Sequence, residues 1–236
     1  MAQEWLARQN MLIGEENTAK LQGSRVAVIG LGGVGGAVVE ALARAGVGHL
    51  LLVDGDTISE TNKNRQLIAT TETIGMEKIR AWGLRVLSIN PGVKIETSCC
   101  MVRQGEDGGL VAFRPHYIVD AIDTVSSKIF LIELCKEHNL NILCCMGTGN
   151  RVDTNGFAIA DISETSGCPV ARVLRKELRS REIENVTVLY NKNPPQSAAV
   201  EKSNGRHAPG SISYVPPIAG FMAAEYVIKQ LMQAEG

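Results

Sequence analysis

Arg25-Val26-Ala27-Val28-Ile29-Gly30-Leu31-Gly32-Gly33-Val34-Gly35-Gly36-Ala37-Val38-Val39-Glu40-Ala41-Leu42-Ala43 is the stretch on which the fold turns. A short β-branched apolar run meets a glycine loop, and the loop opens into a segment of helical composition, which together make a strand–loop–helix unit. At the start of that helix the loop amides can face phosphate oxygens, so Gly30, Gly32, Gly33 and Gly35 are candidate nucleotide contacts. A side chain there would hold the phosphates away from the backbone. Asp54 ends the next apolar run nineteen residues beyond Gly35, where a carboxylate can accept hydrogen bonds from ribose hydroxyls. The same fingerprint serves NAD, FAD and ATP, so it leaves the nucleotide open.

Outward from this unit the pattern repeats. Residues 49–53 read as a second strand, 77–88 as a helix, 93–98 as a third strand and 116–120 as a fourth; 126–138 read as a helix and 141–145 as a fifth strand. Strands alternating with helices predict an α/β fold, a Rossmann-type and mostly parallel sheet flanked by helices. An opening helix is expected over residues 3–21. Beyond Gly149 the pattern changes: 157–162 and 186–190 read as strands, 170–181 as a basic helix, and 219–232 as a closing helix after Val215-Pro216-Pro217. The polar, Pro- and Gly-bearing stretch 191–213 is expected to be a long mobile loop. All of 1–236 is taken as one domain, with a core of about 23–150 and a C-terminal β/α extension of about 151–236.

Composition narrows the function classes. With 44% hydrophobic and 21% charged residues the chain has soluble-globular composition, and its net charge of -1 excludes a global basic field. A nucleic-acid partner would have to be held by a local patch. The first residues show no basic region followed by an apolar core, and no apolar run reaches about 18 residues. A cytoplasmic protein with no obligatory membrane partner is expected. Cys99, Cys100, Cys135, Cys144, Cys145 and Cys168 lack the spacing of a zinc ribbon or a disulfide framework and read as buried or incidental thiols.

The residues after Asp54 choose among nucleotides. Asp56, Asn62, Asn64, Arg65 and Gln66 come in quick succession, and Lys78 follows on the next helix. Such a density of phosphate donors exceeds what hydride transfer needs. Displacing pyrophosphate from ATP does need it, because negative charge moves onto the leaving group as the α-phosphate is attacked. Asp123, just past the fourth strand, sits at the carboxyl edge of the sheet and is the candidate Mg²⁺ ligand.

The loop 30–35, Asp54-Gly55-Asp56, Asn62-Lys63-Asn64-Arg65-Gln66, Gly75-Met76-Glu77-Lys78 and Asp120-Ala121-Ile122-Asp123, in this order, resemble the adenylation site of the ubiquitin-activating-enzyme-like superfamily. The resemblance spans residues 8–149. It implies ATP and Mg²⁺ as cofactors, with Asp54 on the ribose and Asp56 beside it, Asn62, Arg65 and Lys78 on the phosphates, and Asp123 on the metal; a bound monovalent cation is left open. It also implies a homodimer, since Arg8 resembles the arginine that such enzymes insert into the partner subunit's ATP site.

Residues 168–179 and 210–220 resemble the tRNA threonylcarbamoyladenosine dehydratase branch of that superfamily. The chemistry this implies is adenylation of the threonylcarbamoyl carboxylate on a tRNA adenosine, followed by ring closure within the same group and loss of AMP, for which proximity makes a protein nucleophile unnecessary. The alternative is adenylation of the C-terminus of a ubiquitin-like sulfur-carrier protein. Bacterial relatives of that kind usually bind zinc through two Cys-x-x-Cys pairs, which this chain lacks. A sulfur-relay partner is left open. Some branch members carry a cysteine in the strand at 186–190, and here there is none; Cys168 is the only cysteine beyond Gly149. On the basic helix, spacings of three and four put Arg172, Arg175, Lys176 and Arg179 on one face, a track for tRNA phosphates.

Overall fold

The computed structural model describes residues 4–196, 201–203 and 206–234. A 3-10 turn at Glu4–Leu6 leads into α1 (Ala7–Gly23), followed by β1 (Arg25–Ile29), α2 (Gly33–Arg44), β2 (His49–Val53), α3 (Lys78–Ile89), β3 (Lys94–Ser98) and the single turn α4 (Leu110–Phe113). Then come β4 (Tyr117–Asp120), α5 (Val125–Glu137), β5 (Ile142–Cys145), β6 (Phe157–Asp161), α6 (Pro169–Arg179), β7 (Thr187–Asn191), β8 (Glu201–Ser203), β9 (Arg206–Ala208) and α7 (Val215–Gln233).

The main sheet has the order β3-β2-β1-β4-β5-β7-β6. Every neighbouring pair is parallel except the edge pair β6 and β7. The apolar runs dictate this arrangement, because a parallel strand covered by helices on both faces must be apolar on both. In β1, Val26 and Val28 enter the core formed with α2, α3 and α7, while Ala27 and Ile29 enter the core formed with α4 and α5. β2 divides the same way, Leu50 and Leu52 against Leu51 and Val53. The expected α/β class with a mostly parallel, Rossmann-like sheet is therefore the observed one.

The C-terminal part does not stand apart from the sheet. β7 pairs in parallel with β5, and α7 returns to lie on α2. A Cβ at Gly220 of α7 would stand 2.3 Å from the Val34 carbonyl oxygen of α2, so the two helices touch backbone to backbone.

Four expectations need correction. The opening helix is broken at Gly14, whose φ of 82° and ψ of 160° are not helical; glycine permits that turn at no steric cost. α2 begins at Gly33 rather than Ala37, so two of the loop glycines, Gly33 and Gly35, lie inside its first turn. α7 begins at Val215, since Pro216 and Pro217 occupy first-turn positions where no amide donor is needed. The long loop expected at 191–213 instead starts with the last residue of β7 and contains the antiparallel pair β8 and β9; residues 197–200 and 204–205 of that stretch lie outside the described residues.

Candidate nucleotide site

The strand order reverses between β1 and β4, and the carboxyl ends of these two strands open into a cavity of about 1010 Å³. That crevice is where open parallel sheets bind ligands. Gly30, Gly32 and Gly33 line it together with Asp54, Asp56, Asn62, Arg65, Gln66, Lys78 and Asp123. These residues are spread over ninety-four positions of sequence, and the sheet brings them to one place.

The glycine loop turns sharply. Gly30 has φ +86°, and its amide donates to the Val53 carbonyl at 2.8 Å. Gly36 is the first residue of α2 to close a helical bond, to the Gly32 carbonyl at 2.9 Å, so the amides ahead of it belong to the open N-terminus of the helix. The glycines are required as much by the protein as by any ligand. A Cβ on Gly35 would stand 1.8 Å from the Gly30 carbonyl oxygen, and one on Gly33 would stand 2.8 Å from Pro216 Cβ. Gly35 itself does not line the cavity; it lets α2 close on the loop.

Asp54 is buried at the end of β2. One oxygen accepts from the Leu31 amide at 2.7 Å and the other from the Asp56 amide at 2.8 Å, which ties the glycine loop to the next strand. Lys78 reaches the same place from the first residue of α3. Its ammonium is 2.7 Å from Asp56 and 3.5 Å from Asp54, and only 6% of its side chain is exposed. Backbone pairing positions it: Ile58 donates to Met76, Gly75 to Ile58, and Lys78 to Asp56, at 2.8–3.1 Å.

Asn62 ends a 3-10 turn at Glu60–Asn62, and its side-chain Oδ1 accepts from the Ser59 amide. Arg65 is half-buried, held by the Thr61 carbonyl and Asn64 at 3.0 Å each, and burial pulls its pKa below the ordinary guanidinium value. Gln66 is buried, and its Oε1 has no partner although the residue lines the cavity. A buried polar atom left unsatisfied at a cavity wall is a group that a ligand would satisfy.

Asp123 is exposed on the turn after β4. Among the described residues no three His, Cys, Asp or Glu side chains cluster as a metal cage. A single carboxylate on a cavity that also carries Arg65 and Lys78 still fits Mg²⁺, which keeps several waters and is held largely by substrate phosphates. No feature of the described residues marks a monovalent cation.

The sequence reading gave no role to several residues that contribute here. Asp120 and Lys128 form an ion pair below the cavity, and the field of Asp120 raises the lysine pKa even though burial works against the charge. Ser211 and Pro216 also line the cavity, although they lie far along the chain. Asn150 holds that segment by exchanging bonds of 2.6–2.7 Å with Gly210, and Asn64 donates to the Ser211 carbonyl at 3.0 Å. Asp120 stood in the motif Asp120-Ala121-Ile122-Asp123, and Ser211 and Pro216 in the segment 210–220; Lys128 left a separate trace, since a cation in the first turn of a helix opposes the helix dipole.

Away from the cavity, Arg8 is exposed on α1 and does not line this site. On α6, Arg172, Lys176 and Arg179 are exposed while Ala171, Leu174 and Leu178 are buried. Arg175 does not join them on a free face. One of its terminal nitrogens is bound to the Thr165 carbonyl at 2.9 Å and to the Thr165 hydroxyl, so it clamps the preceding turn. Cys135, Cys144, Cys145 and Cys168 are buried, and burial pushes the thiols of Cys135 and Cys145 up to about 12.

The ThiF family model matches residues 6–236, and this chain belongs to the ThiF family. Its similarity to a SAMP-activating enzyme E1 of Haloferax volcanii, 32% identical over 52% of this chain, agrees with the superfamily read from the motifs. Within the family the chain is similar to the tRNA threonylcarbamoyladenosine dehydratase of Bacillus subtilis, 34% identical with 96% of this chain and 94% of that one covered. Its identity to the Haemophilus influenzae protein of the same name is 33%, over 92% of this chain and 89% of that one. Among solved structures, the E. coli tRNA N6-threonylcarbamoyladenosine dehydratase in complex with AMP superposes with a TM-score of 0.86 at 27% identity, covering 95% of this chain and 92% of that one. The same E. coli enzyme in complex with ATP gives 0.87 at 26% identity.

Proposed function

We propose that this chain is an ATP-dependent tRNA threonylcarbamoyladenosine dehydratase, acting as one adenylation domain. The observation that carries the reading is the single cavity lined at once by the glycine loop, Asp54, Arg65, Lys78 and Asp123, in a chain similar over nearly its whole length to dehydratases of that name.

In the first step a carboxylate oxygen of the threonylcarbamoyl group attacks the α-phosphorus of ATP. The bond from that phosphorus to the bridging oxygen breaks, giving an acyl adenylate and pyrophosphate. Asp54 accepts from the ribose hydroxyls, the amides at the start of α2 and the Asn62 side chain face the phosphates, and Arg65 and Lys78 neutralise the charge that builds on the leaving group. Lys78 and its partner Asp56 both line the cavity, so the ammonium can exchange the carboxylate for a phosphate oxygen there. Asp123 would hold Mg²⁺, which when bound would supply a further positive centre for that charge. In the second step a nucleophile of the same threonylcarbamoyl group closes a five-membered ring at the activated carbon and AMP departs, a net loss of one water from the tRNA. The reacting atoms belong to one group, so no protein thiol is needed.

Arg8 fits this scheme as a donor to the partner subunit's site in a homodimer, and Arg172, Lys176 and Arg179 as phosphate contacts for tRNA. Arg175 keeps a lesser share of that surface because of its bond to Thr165. A tRNA substrate supports a cytoplasmic location. No helix among the described residues is long and apolar enough to cross a membrane.

The test is a nucleoside mass spectrum of tRNA after incubation with the protein, ATP and Mg²⁺. A threonylcarbamoyladenosine lighter by one water, formed together with AMP, is the expected result. Unchanged tRNA alongside AMP formation with a diglycine-ended carrier protein would replace this reading by carrier adenylation.

A further inference from the structure

Lys128 and Asp120 form an ion pair at 2.9 Å with 1% and 0% of their side chains exposed, and the same ammonium donates to the Cys145 carbonyl at 2.7 Å. Stability does not account for it. A cation in the first turn of α5 opposes the helix dipole, and a buried pair seldom outperforms apolar side chains of similar shape.

Geometry accounts for it better. The lysine joins three elements under the cavity: the carboxyl end of β4, the carboxyl end of β5 and the start of α5. The second Asp120 oxygen accepts from the Ile122 amide at 3.0 Å, which shapes the turn leading to Asp123. Ala121, inside that turn, donates to the Ile29 carbonyl at 2.8 Å. Its own carbonyl oxygen lies 2.8 Å from where a Cβ of Gly30 would stand, so the turn abuts the glycine loop without a gap. Cys145, whose carbonyl takes the other lysine bond, leads into Met146 and Gly147, which also line the cavity.

We propose that Lys128 and Asp120 are positioning residues that hold the Asp123-bearing turn in register with the glycine loop, and so set the metal-binding carboxylate against the triphosphate. The inference rests on the role given above to Asp123. Neither residue touches the substrate. Without the pair the turn keeps its sequence and loses its anchor, and a carboxylate displaced by about 1 Å costs on the order of 100-fold in rate.

The test uses the full chain carrying Asp120→Asn together with Lys128→Met, which removes both charges, keeps an acceptor for the Ile122 amide and leaves no orphaned ion. The expected double variant melts within about 5 °C of the parent and binds ATP in metal-free buffer within about threefold of it. Its Mg²⁺ midpoint for nucleotide binding, read by calorimetry, rises about tenfold, and its kcat falls about 100-fold while KM for ATP changes little. Lys128→Arg, which keeps the charge and the donors, recovers most of both. A folded double variant with the parent's Mg²⁺ midpoint and kcat overturns the proposal. So does a double variant that cannot fold, because the pair then holds the fold and not the site. If the parent itself forms no AMP with tRNA the functional reading fails, whereas the calorimetric Mg²⁺ midpoint still decides this one.

Discussion

Replacing Gly35 by Ala tests how tightly the nucleotide loop is built. The new Cβ would lie 1.8 Å from the Gly30 carbonyl oxygen and 3.2 Å from Ala121 Cβ. Real Cβ contacts do not fall below 3.0 Å, so the gap between loop and helix must open by roughly 1.2 Å. The obstacle is backbone, which cannot rotate away as a side-chain tip would. Overpacking of this kind costs about 1–3 kcal/mol of stability, a fall of roughly 2–12 °C in melting midpoint for a chain of this size. The amides proposed to face the phosphates move with the loop, and a misplacement of about 1 Å is worth on the order of 100-fold. ATP affinity should therefore weaken about 100-fold, close to 2.7 kcal/mol. Calorimetric titration with ATP and thermal melting measure both quantities. Gly83→Ala is the internal control: it lies within α3, nothing stands within 4 Å of its Cβ position, and it should stabilise by about 0.5–1 kcal/mol with ATP binding intact. The reasoning is refuted if Gly35→Ala binds ATP like the parent, or if both alanines weaken binding equally.

Three further outcomes are expected. Arg65→Ala should abolish pyrophosphate release while circular dichroism and melting stay near the parent; turnover at the parent rate would contradict the phosphate role. The triple variant Arg172→Ala, Lys176→Ala and Arg179→Ala should weaken tRNA binding and lower the slope of log affinity against log salt by about 2–3, whereas Arg175→Ala should mainly lower the melting midpoint; equal salt slopes in triple variant and parent would remove α6 from the tRNA path. Glu40, buried on α2, is opposed in its charged form by burial, but Arg85 and Arg44 outweigh this and hold its pKa below the ordinary value. A lowered folded value means stability that is present above about pH 4.3 and lost as pH falls through the folded pKa. Glu40→Gln should thus destabilise by about 1–3 kcal/mol at pH 7 and progressively less in acid; a pH-independent difference would show that the charge is not the cause.

Most of the sheet was legible because its signals are local. A buried parallel strand must be apolar on both faces, and a phosphate loop needs its glycines at fixed, closely spaced positions, so both leave their marks within a few residues. The element ends were less legible where a residue type admits two readings. Pro216 and Pro217 can precede a helix or occupy its first turn, and only the packing of α7 on α2 through Gly220 selects the second. The spacing on α6 grouped four cations on one face, but spacing says nothing about a neighbouring turn whose Thr165 accepts from one of them.

The amino-acid sequence by itself determined the strand–loop–helix unit, the alternation that makes a parallel sheet, and the side-chain types that an adenylating site requires, since each depends on near neighbours in the chain. Tertiary structure alone decided that Lys78 rests between Asp54 and Asp56, that Ser211 and Pro216 complete the cavity wall, and that Lys128 is tied to Asp120 beneath it. Those contacts join segments that meet only when the sheet closes, and their worth depends on burial, which no residue possesses until the rest of the molecule surrounds it.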